Sequence, residues 1–367
     1  MAVTPHHRLY EFAKTALIKI FAFPYATVCD LYCDGGVDTD KWADAQIGHY
    51  IGIDASASGV NDARELWGSK RKPFTAEFFE LDPSADDFEA HLQEKGIKAD
   101  IVCCMQNLQL CFESEEHAQK LLNNVSSILK PGGYFLGITP DSSTIWTKYQ
   151  KNVEASHGKG QGLKTVPNSI RSENYVITFE VEEEKFPFFG KKYQLKFANE
   201  SMLENHCLVH FPSLMRLARE AGLEYVEIQN VTEFYDDNRT QFAPLLGSCG
   251  ASLVDPRGKL VARSYDILGD IVFFPSGFTL KVPIYSLPDM IYAGLYSTFV
   301  FQKPDPDAIP PIVTPNLPEP ENAQDEEWQW SQQASVDDGR VVSHADLVLP
   351  LDHEKGILGP GPADMRL

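Results

Sequence analysis

Basic residues are scarce in this chain: 32 Lys and Arg stand against 52 Asp and Glu, a net charge of −20 over 367 residues. That balance excludes broad, phosphate-driven binding to long nucleic acid, which needs clustered cations, but leaves room for a small nucleotide pocket. Long apolar runs are missing as well. None approaches the ~20 residues of a membrane span, so no membrane partner is expected. The opening stretch "MAVTPHHRLYEFAKTALIKIF" lacks the basic-then-apolar order of a signal peptide, and Lys14 and Lys19 break its apolar residues at the spacing of an amphipathic helix. The seven cysteines include no metal-type CxxC pair. Reduced thiols are therefore expected, with Cys103 and Cys104 as core residues of an apolar strand. No G-x-G-x-x-G phosphate loop and no internal repeat are visible.

What is present is alternation. "ATVCDLY", "HYIGIDA", "AEFFELD", "ADIVCCM" and "GYFLGIT" are short apolar runs of the buried-strand type, separated by helical stretches. In one of these, from Glu115 to Leu129, the residues Leu121, Leu122, Val125 and Leu129 share a face, and "KPGGYF" should end it. Strand–helix alternation predicts an α/β fold with a doubly wound, mostly parallel sheet. From Tyr175 the pattern changes, and "YVITFEVEEEKFPFFGKKYQLKF" reads as an inserted β-hairpin around a Pro/Gly turn. A helix in "FPSLMRLAREAGLEYVEI" and a last strand in "GLYSTFVFQK" follow.

Ligands of such sheets bind beyond the carboxyl ends of the strands. Asp54 ends the second strand, where a carboxylate can accept from ribose hydroxyls; Asp82 ends the third, at the height of an adenine amine. Either alone could be a helix cap; the pair suits an adenosine ligand. The loop after the first strand, "VCDLYCDGGVDTDKW", lacks the glycines that meet pyrophosphate, and Asp34 and Asp38 should repel phosphate. An adenosine bearing a sulfonium instead of phosphate fits an acidic loop, which points to S-adenosylmethionine.

Six collinear motifs carry a resemblance across Leu9 to Lys303. The loop matches D-L-G-C-G-K-G-G-D-L-L-K-W at Asp30, Leu31, Cys33, Gly36, Asp38, Lys41 and Trp42. "EFAKTALI" keeps Lys14, Leu17 and Ile18 of N-W-x-K-x-x-L-I, and "LLNNVSSILKPGGYFLGITPDS" follows R-L-x-P-G-G-x-F-x-G-T-x-P-N-S. "FPFFGKKYQLKF", "LVHFPSLMRLAREAGLEYVE" and "EFYDDN" match the later hairpin, helix and strand end. With these motifs the chain resembles the messenger RNA cap (guanine-N7) methyltransferase family, in a divergent second form of plant type. The resemblance implies a Rossmann-like class I fold and methyl transfer from S-adenosylmethionine to guanine N7 of the 5′ cap, in the nucleus with the cytosol as alternative. It assigns Lys14, Asp30, Tyr32, Cys33, Asp54, Asp82, Met105 and Gln106 to the cofactor. Glu11, Lys41, Gln109, His206 and Tyr296 fall to the cap. No metal and no general acid or base is implied.

The departures concern chemistry. Tyr32, Asp34, Gly35 and Val37 replace Gly, Gly, Lys and Gly of the loop, and Tyr32 is expected to crowd the methionine arm. Gln109 and Leu110 replace a His–Tyr pair, and His206 replaces a guanine-binding Glu. Met105 stands at a Gln position unless a one-residue shift brings Gln106 there. These changes leave two alternatives: a weak or inactive methyltransferase-like regulator, or a methyltransferase for another small acceptor.

Two segments lie outside the motif pattern. From Pro304 to Leu367 there are thirteen acids, three bases and ten of the 24 prolines, the composition of a disordered tail that could meet a protein partner; the methyltransferase domain is accordingly expected over 1–303. Within that domain, the 25 residues of 270–294, "DIVFFPSGFTLKVPIYSLPDMIYAG", interrupt what would otherwise join smoothly. They are expected to be either a surface hairpin or a retained in-frame intron, since Gly269–Asp270 and Ala293–Gly294 can be encoded with GT and AG at the two ends.

Overall fold

The computed structural model describes residues 5–70, 72–157, 168–171, 175–180, 186–197, 203–245 and 295–307. The segment 270–294 and residues 308–367 of the tail lie outside the described residues, and the chain divides between Pro306 and Asp307.

Five strands alternate with helices. They are β1 (Thr27–Leu31), β2 (His49–Asp54), β3 (Thr75–Glu80), β4 (Ala99–Cys104) and β5 (Leu129–Pro140). The helices are α1 (Pro5–Phe21), α2 (Thr39–Asp44), α3 (Ala57–Ser69), α4 (Phe88–Glu94) and α5 (Glu115–Ile128). After α6 (Ser142–His157) come β6 (Ser169–Arg171), β7 (Tyr175–Phe179), β8 (Lys192–Phe197) and β9 (Leu203–Cys207). The chain then returns through α7 (Phe211–Glu220), β10 (Glu224–Asn230), α8 (Val231–Asn238) and β11 (Tyr296–Gln302).

The main sheet runs β10-β11-β5-β4-β1-β2-β3; β11 is antiparallel to both its neighbours and β1 to β5 are parallel. This is the doubly wound sheet expected from the alternation. Its strands read as continuous apolar runs because both faces are covered. On β1 the period of two divides the side chains: Cys29 and Leu31 pack with α4 and α5, while Val28 packs with α1 and α3. Helix α1 contributes Leu9, Phe12, Ala13, Ala16 and Leu17, all buried, at the i, i+3, i+4, i+7, i+8 spacing of one helical face. Strands β4 and β5 approach so closely that a Cβ on Gly137 would lie 1.9 Å from the Cys104 carbonyl oxygen. All six described cysteines are free thiols and buried.

The second sheet, β6-β7-β8-β9, is an antiparallel meander. Its central pair is the hairpin read from the sequence, with Tyr175 opposite Phe197. It packs Ile177, Phe179 and Tyr193 against Trp146 and Tyr149 of α6 as a separate core.

Three boundaries differ from expectation. Helix α5 stops at Ile128 and β5 begins at Leu129, so the "KPGG" residues lie in the strand: Gly132 and Gly133 exchange backbone bonds with Lys303, beyond the end of β11. "EFYDDN" belongs to helix α8, capped by Asn230 accepting from Thr232 N at 3.0 Å, and is no strand end. Strand β3 stops at Glu80, two residues short of Asp82.

Candidate active site

The carboxyl ends of β1 to β5 and the first residue of β11 meet at one edge of the sheet, where Tyr296 pairs with Pro140. The connections leaving β1 and β4 go to opposite faces, since Trp42 of α2 packs in one core cluster and α5 in the other. A crevice beyond adjacent strands that part in this way is where doubly wound sheets take ligands.

Beyond β1 the chain takes a left-handed turn at Tyr32 (φ 57°), Asp34 (φ 40°), Gly35 (φ 66°) and Gly36 (φ 74°). At Gly36 a Cβ would press on Ala63 Cα of α3 at 3.3 Å, so glycine is needed for position as well as for conformation. Tyr32 adopts a left-handed conformation that favours glycine, at a cost of about 1–2 kcal/mol. Its ring is buried, and its hydroxyl lies 3.2 Å from Cys111 Sγ in the 3-10 turn Leu108–Glu113 beyond β4. Gln106 Nε2 donates to the Tyr32 carbonyl at 3.2 Å, while Met105 is buried and its carbonyl accepts from the Tyr10 hydroxyl. Of the two glutamine registers open in the sequence, Gln106 is the one that touches the loop. Cys33 continues the pairing of β1 with β2 through its N–H to Ile53 O at 3.0 Å, and its thiol is buried, with its pKa pushed up by desolvation.

Neither acid at the strand ends is a helix cap; those positions belong to Ser56 and Asp87. Asp54 accepts from Ser56 N at 2.9 Å and from Asp34 N at 3.2 Å, tying the loop after β1 to the end of β2. Asp82 accepts from Ser84 N at 2.9 Å and Ser84 Oγ at 2.8 Å, both at Oδ1, so Oδ2 is free among the described residues. Asp30 stands apart from this edge. It is 2% exposed, accepts from Tyr50 Oη at 2.7 Å and Cys103 Sγ at 3.2 Å, and its pKa is pushed up to about 7, first by burial and then by Asp38. Both of its carboxyl oxygens are thus bonded to core side chains.

Residues expected in two separate groups form one ion cluster. Lys14 Nζ binds Asp38 at 2.7 Å; Lys41 Nζ binds Asp38 and Glu11, each at 2.6 Å. Asp38 is 4% exposed. Burial would raise its carboxyl, but Lys14 and Lys41 outweigh that and hold it below the usual carboxylate range. Burial likewise opposes the charge on Lys14, and Asp38 outweighs it, so the ammonium pKa rises. Asp38 therefore carries no free charge to repel phosphate, contrary to the sequence expectation. Lys14 also lies 5.1 Å from the centre of the Tyr10 ring, which meets Tyr296 edge-on at 5.3 Å.

Gln109 and His206 are 97 positions apart and meet: Gln109 Nε2 lies 2.9 Å from His206 Nδ1. Gln109 is 4% exposed, and its Oε1 is buried without a partner. This bond links the turn beyond β4 to β9 of the second sheet.

Sequence reasoning missed Tyr10 and Cys111, and the role of Asp38 as a partner of two lysines. Asp38 was legible as a motif position, but its pairing with Lys14 depends on α1 crossing the loop. Nothing in the sequence marked Tyr10 or Cys111.

The strand order is that of a Rossmann-like class I fold, and the family match that follows shows a methyltransferase that uses S-adenosylmethionine. A family model described as the mRNA (guanine-N(7))-methyltransferase domain matches residues 6–258, and the chain belongs to that family. It is 82% identical, over the whole of both chains, to mRNA cap guanine-N(7) methyltransferase 2 of Oryza sativa subsp. japonica. It is 57% identical to the protein of the same description from Arabidopsis thaliana, over 98% of this chain and 95% of that one. Among solved structures, the CcbJ methyltransferase of Streptomyces caelestis covers 83% of this chain and 92% of its own at 13% identity and a TM-score of 0.45; the fold rests on the strand order, not on that likeness.

Proposed function

We propose that this chain transfers the methyl group of S-adenosylmethionine to N7 of the guanine that caps the 5′ end of messenger RNA. When bound, the cofactor supplies an electrophilic methyl on a sulfonium. Guanine N7 carries a lone pair at neutral pH, so no side chain has to remove a proton. The work left to the protein is alignment and exclusion of water.

The observation that carries the acceptor half of this reading is Gln109. Its Oε1 is buried and unpartnered while its Nε2 is held by His206. A buried acceptor left unsatisfied costs about 1–3 kcal/mol, and the N–H donors on the edge of a guanine would satisfy it. Asp54 and Asp82 are assigned to the ribose hydroxyls and the adenine amine, with Lys14, Cys33, Met105 and Gln106 completing the cofactor side. Glu11, Lys41, Gln109, His206 and Tyr296 are assigned to the cap. A short cap contact, not extended nucleic acid, suits the net charge of −20. The acidic segment 304–367 is assigned to a protein partner and the enzyme to the nucleus.

A second reading, a weakly active or inactive regulator of another methyltransferase, is favoured by the Tyr32 ring in the crevice and by the closed ion cluster around Asp38. The test is incubation of the full chain with methyl-labelled S-adenosylmethionine and, in separate reactions, capped RNA, uncapped RNA and GTP. Label recovered as 7-methylguanosine from the cap is the expected result. Label on free GTP alone would favour a small acceptor, and cofactor binding without product would favour the regulator.

A further inference from the structure

The loop beyond β1 keeps a glycine's backbone conformation but carries a tyrosine. The Tyr32 ring does not point to solvent. It crosses from the tip of β1 to the turn beyond β4, where its hydroxyl meets Cys111 Sγ at 3.2 Å, while its own carbonyl is held by Gln106 at 3.2 Å. These are the two strands whose connections part to opposite faces, so the phenol spans the mouth of the crevice. It is 8% exposed and packs with Leu108 and Cys104. Burial, Cys111, Cys104 and then Asp82 all push its pKa up, which places the adenine-side carboxylate within electrostatic range of the ring.

We propose that Tyr32 is an intramolecular plug of the cofactor crevice, latched to Cys111, which S-adenosylmethionine must displace in order to bind. This rests on the reading of the crevice as the cofactor site. A plugged resting state lowers apparent affinity by the fraction of time the plug is open. It also makes opening a step in association, so the observed rate levels off as cofactor concentration rises. Glycine removes the ring and fits φ 57° without strain; phenylalanine keeps the packing and removes only the latch.

The test is calorimetry and stopped-flow binding of S-adenosylmethionine to the full chain, to Tyr32→Gly and to Tyr32→Phe, with melting curves as folding controls. Expected are binding about ten-fold tighter or more in Tyr32→Gly, about three-fold faster association in Tyr32→Phe, and loss of the rate plateau in the glycine variant. Equal or weaker binding by a folded Tyr32→Gly, with the parent binding, overturns the plug and leaves the cofactor site standing. If Tyr32→Gly does not fold, the phenylalanine variant decides, and unchanged association there overturns the plug. Binding by none of the three proteins removes the cofactor reading and the plug with it.

Discussion

Replacing Asp30 with Asn removes a carboxyl that the fold holds almost entirely away from water. In the native protein that carboxyl titrates near 7, against an ordinary value of 3.8. The cause is burial first and the Asp38 charge second; the hydrogen bonds from Tyr50 and Cys103 and the charge of Lys14 pull the other way without winning. Between the two pKa values the unfolded chain has lost its proton and the native chain keeps it. Folding is therefore increasingly opposed as pH rises through that window, and the penalty levels off above it. The difference between the two pKa values corresponds to roughly 4 kcal/mol in full, of which more than half develops between about pH 5 and about pH 8. Asn preserves the size of the side chain and an oxygen for the Tyr50 hydroxyl. Urea unfolding across this range should show the parent losing about 2–3 kcal/mol more than Asp30→Asn, which should be the more stable protein at about pH 8. Parallel pH profiles for the two proteins would refute the reasoning, because they would mean that Asp30 is already ionised in the fold.

Asp54→Ala should weaken S-adenosylmethionine binding by about 2 kcal/mol, near thirty-fold by calorimetry, and unchanged affinity would remove Asp54 from the site. Asp38→Asn leaves Lys14 charged, buried and short of its main partner, and should cost about 3 kcal/mol in urea unfolding near neutral pH. Because Asp38 is held below its ordinary value, its stabilisation is present above about pH 4 and fades as pH falls through the native value, so the variant should also show a flatter acid limb. A chain ending at Asp307 keeps every bond of Lys303 to Gly133, Ser126 and Leu129 and should melt within about 3 °C of the full chain. The intron reading of 270–294 requires mature transcripts without those 25 codons, and amplification across them that yields only the longer product would end it.

The sheet was legible because each strand is buried on both faces and stands out as an apolar run. The burial of Asp30 was hidden for the same reason. A strand covered on both sides carries no mark of which side chains reach the ligand edge, and only the shared face with Tyr50 and Cys103 reveals that Asp30 turns inward. Asp54 could be placed because it ends its strand, so position alone fixed it. The ion cluster was half visible: Asp38 and Lys41 sit three apart on one turn, but their connection to Lys14 and Glu11 needs α1 folded over the loop. The second sheet showed only its central hairpin. Strand β6 has three residues and β9 reads "LENHC", too short and too polar to give a period of two.

The buried cysteines give the protein an internal chronometer. In the folded state all six described thiols are shielded, and desolvation is the first cause raising each pKa, so little thiolate exists to meet an alkylating reagent. Modification of any one must wait for its surroundings to open, and the waits differ. If Tyr32 is the proposed plug, Cys111 is freed when the tyrosine ring swings away, whereas Cys29 and Cys103 sit inside the paired core of β1 and β4 and are freed only when the sheet itself comes apart. Mass-resolved labelling rates at those positions would thus time motions of the crevice separately from global unfolding, with no probe added to the chain.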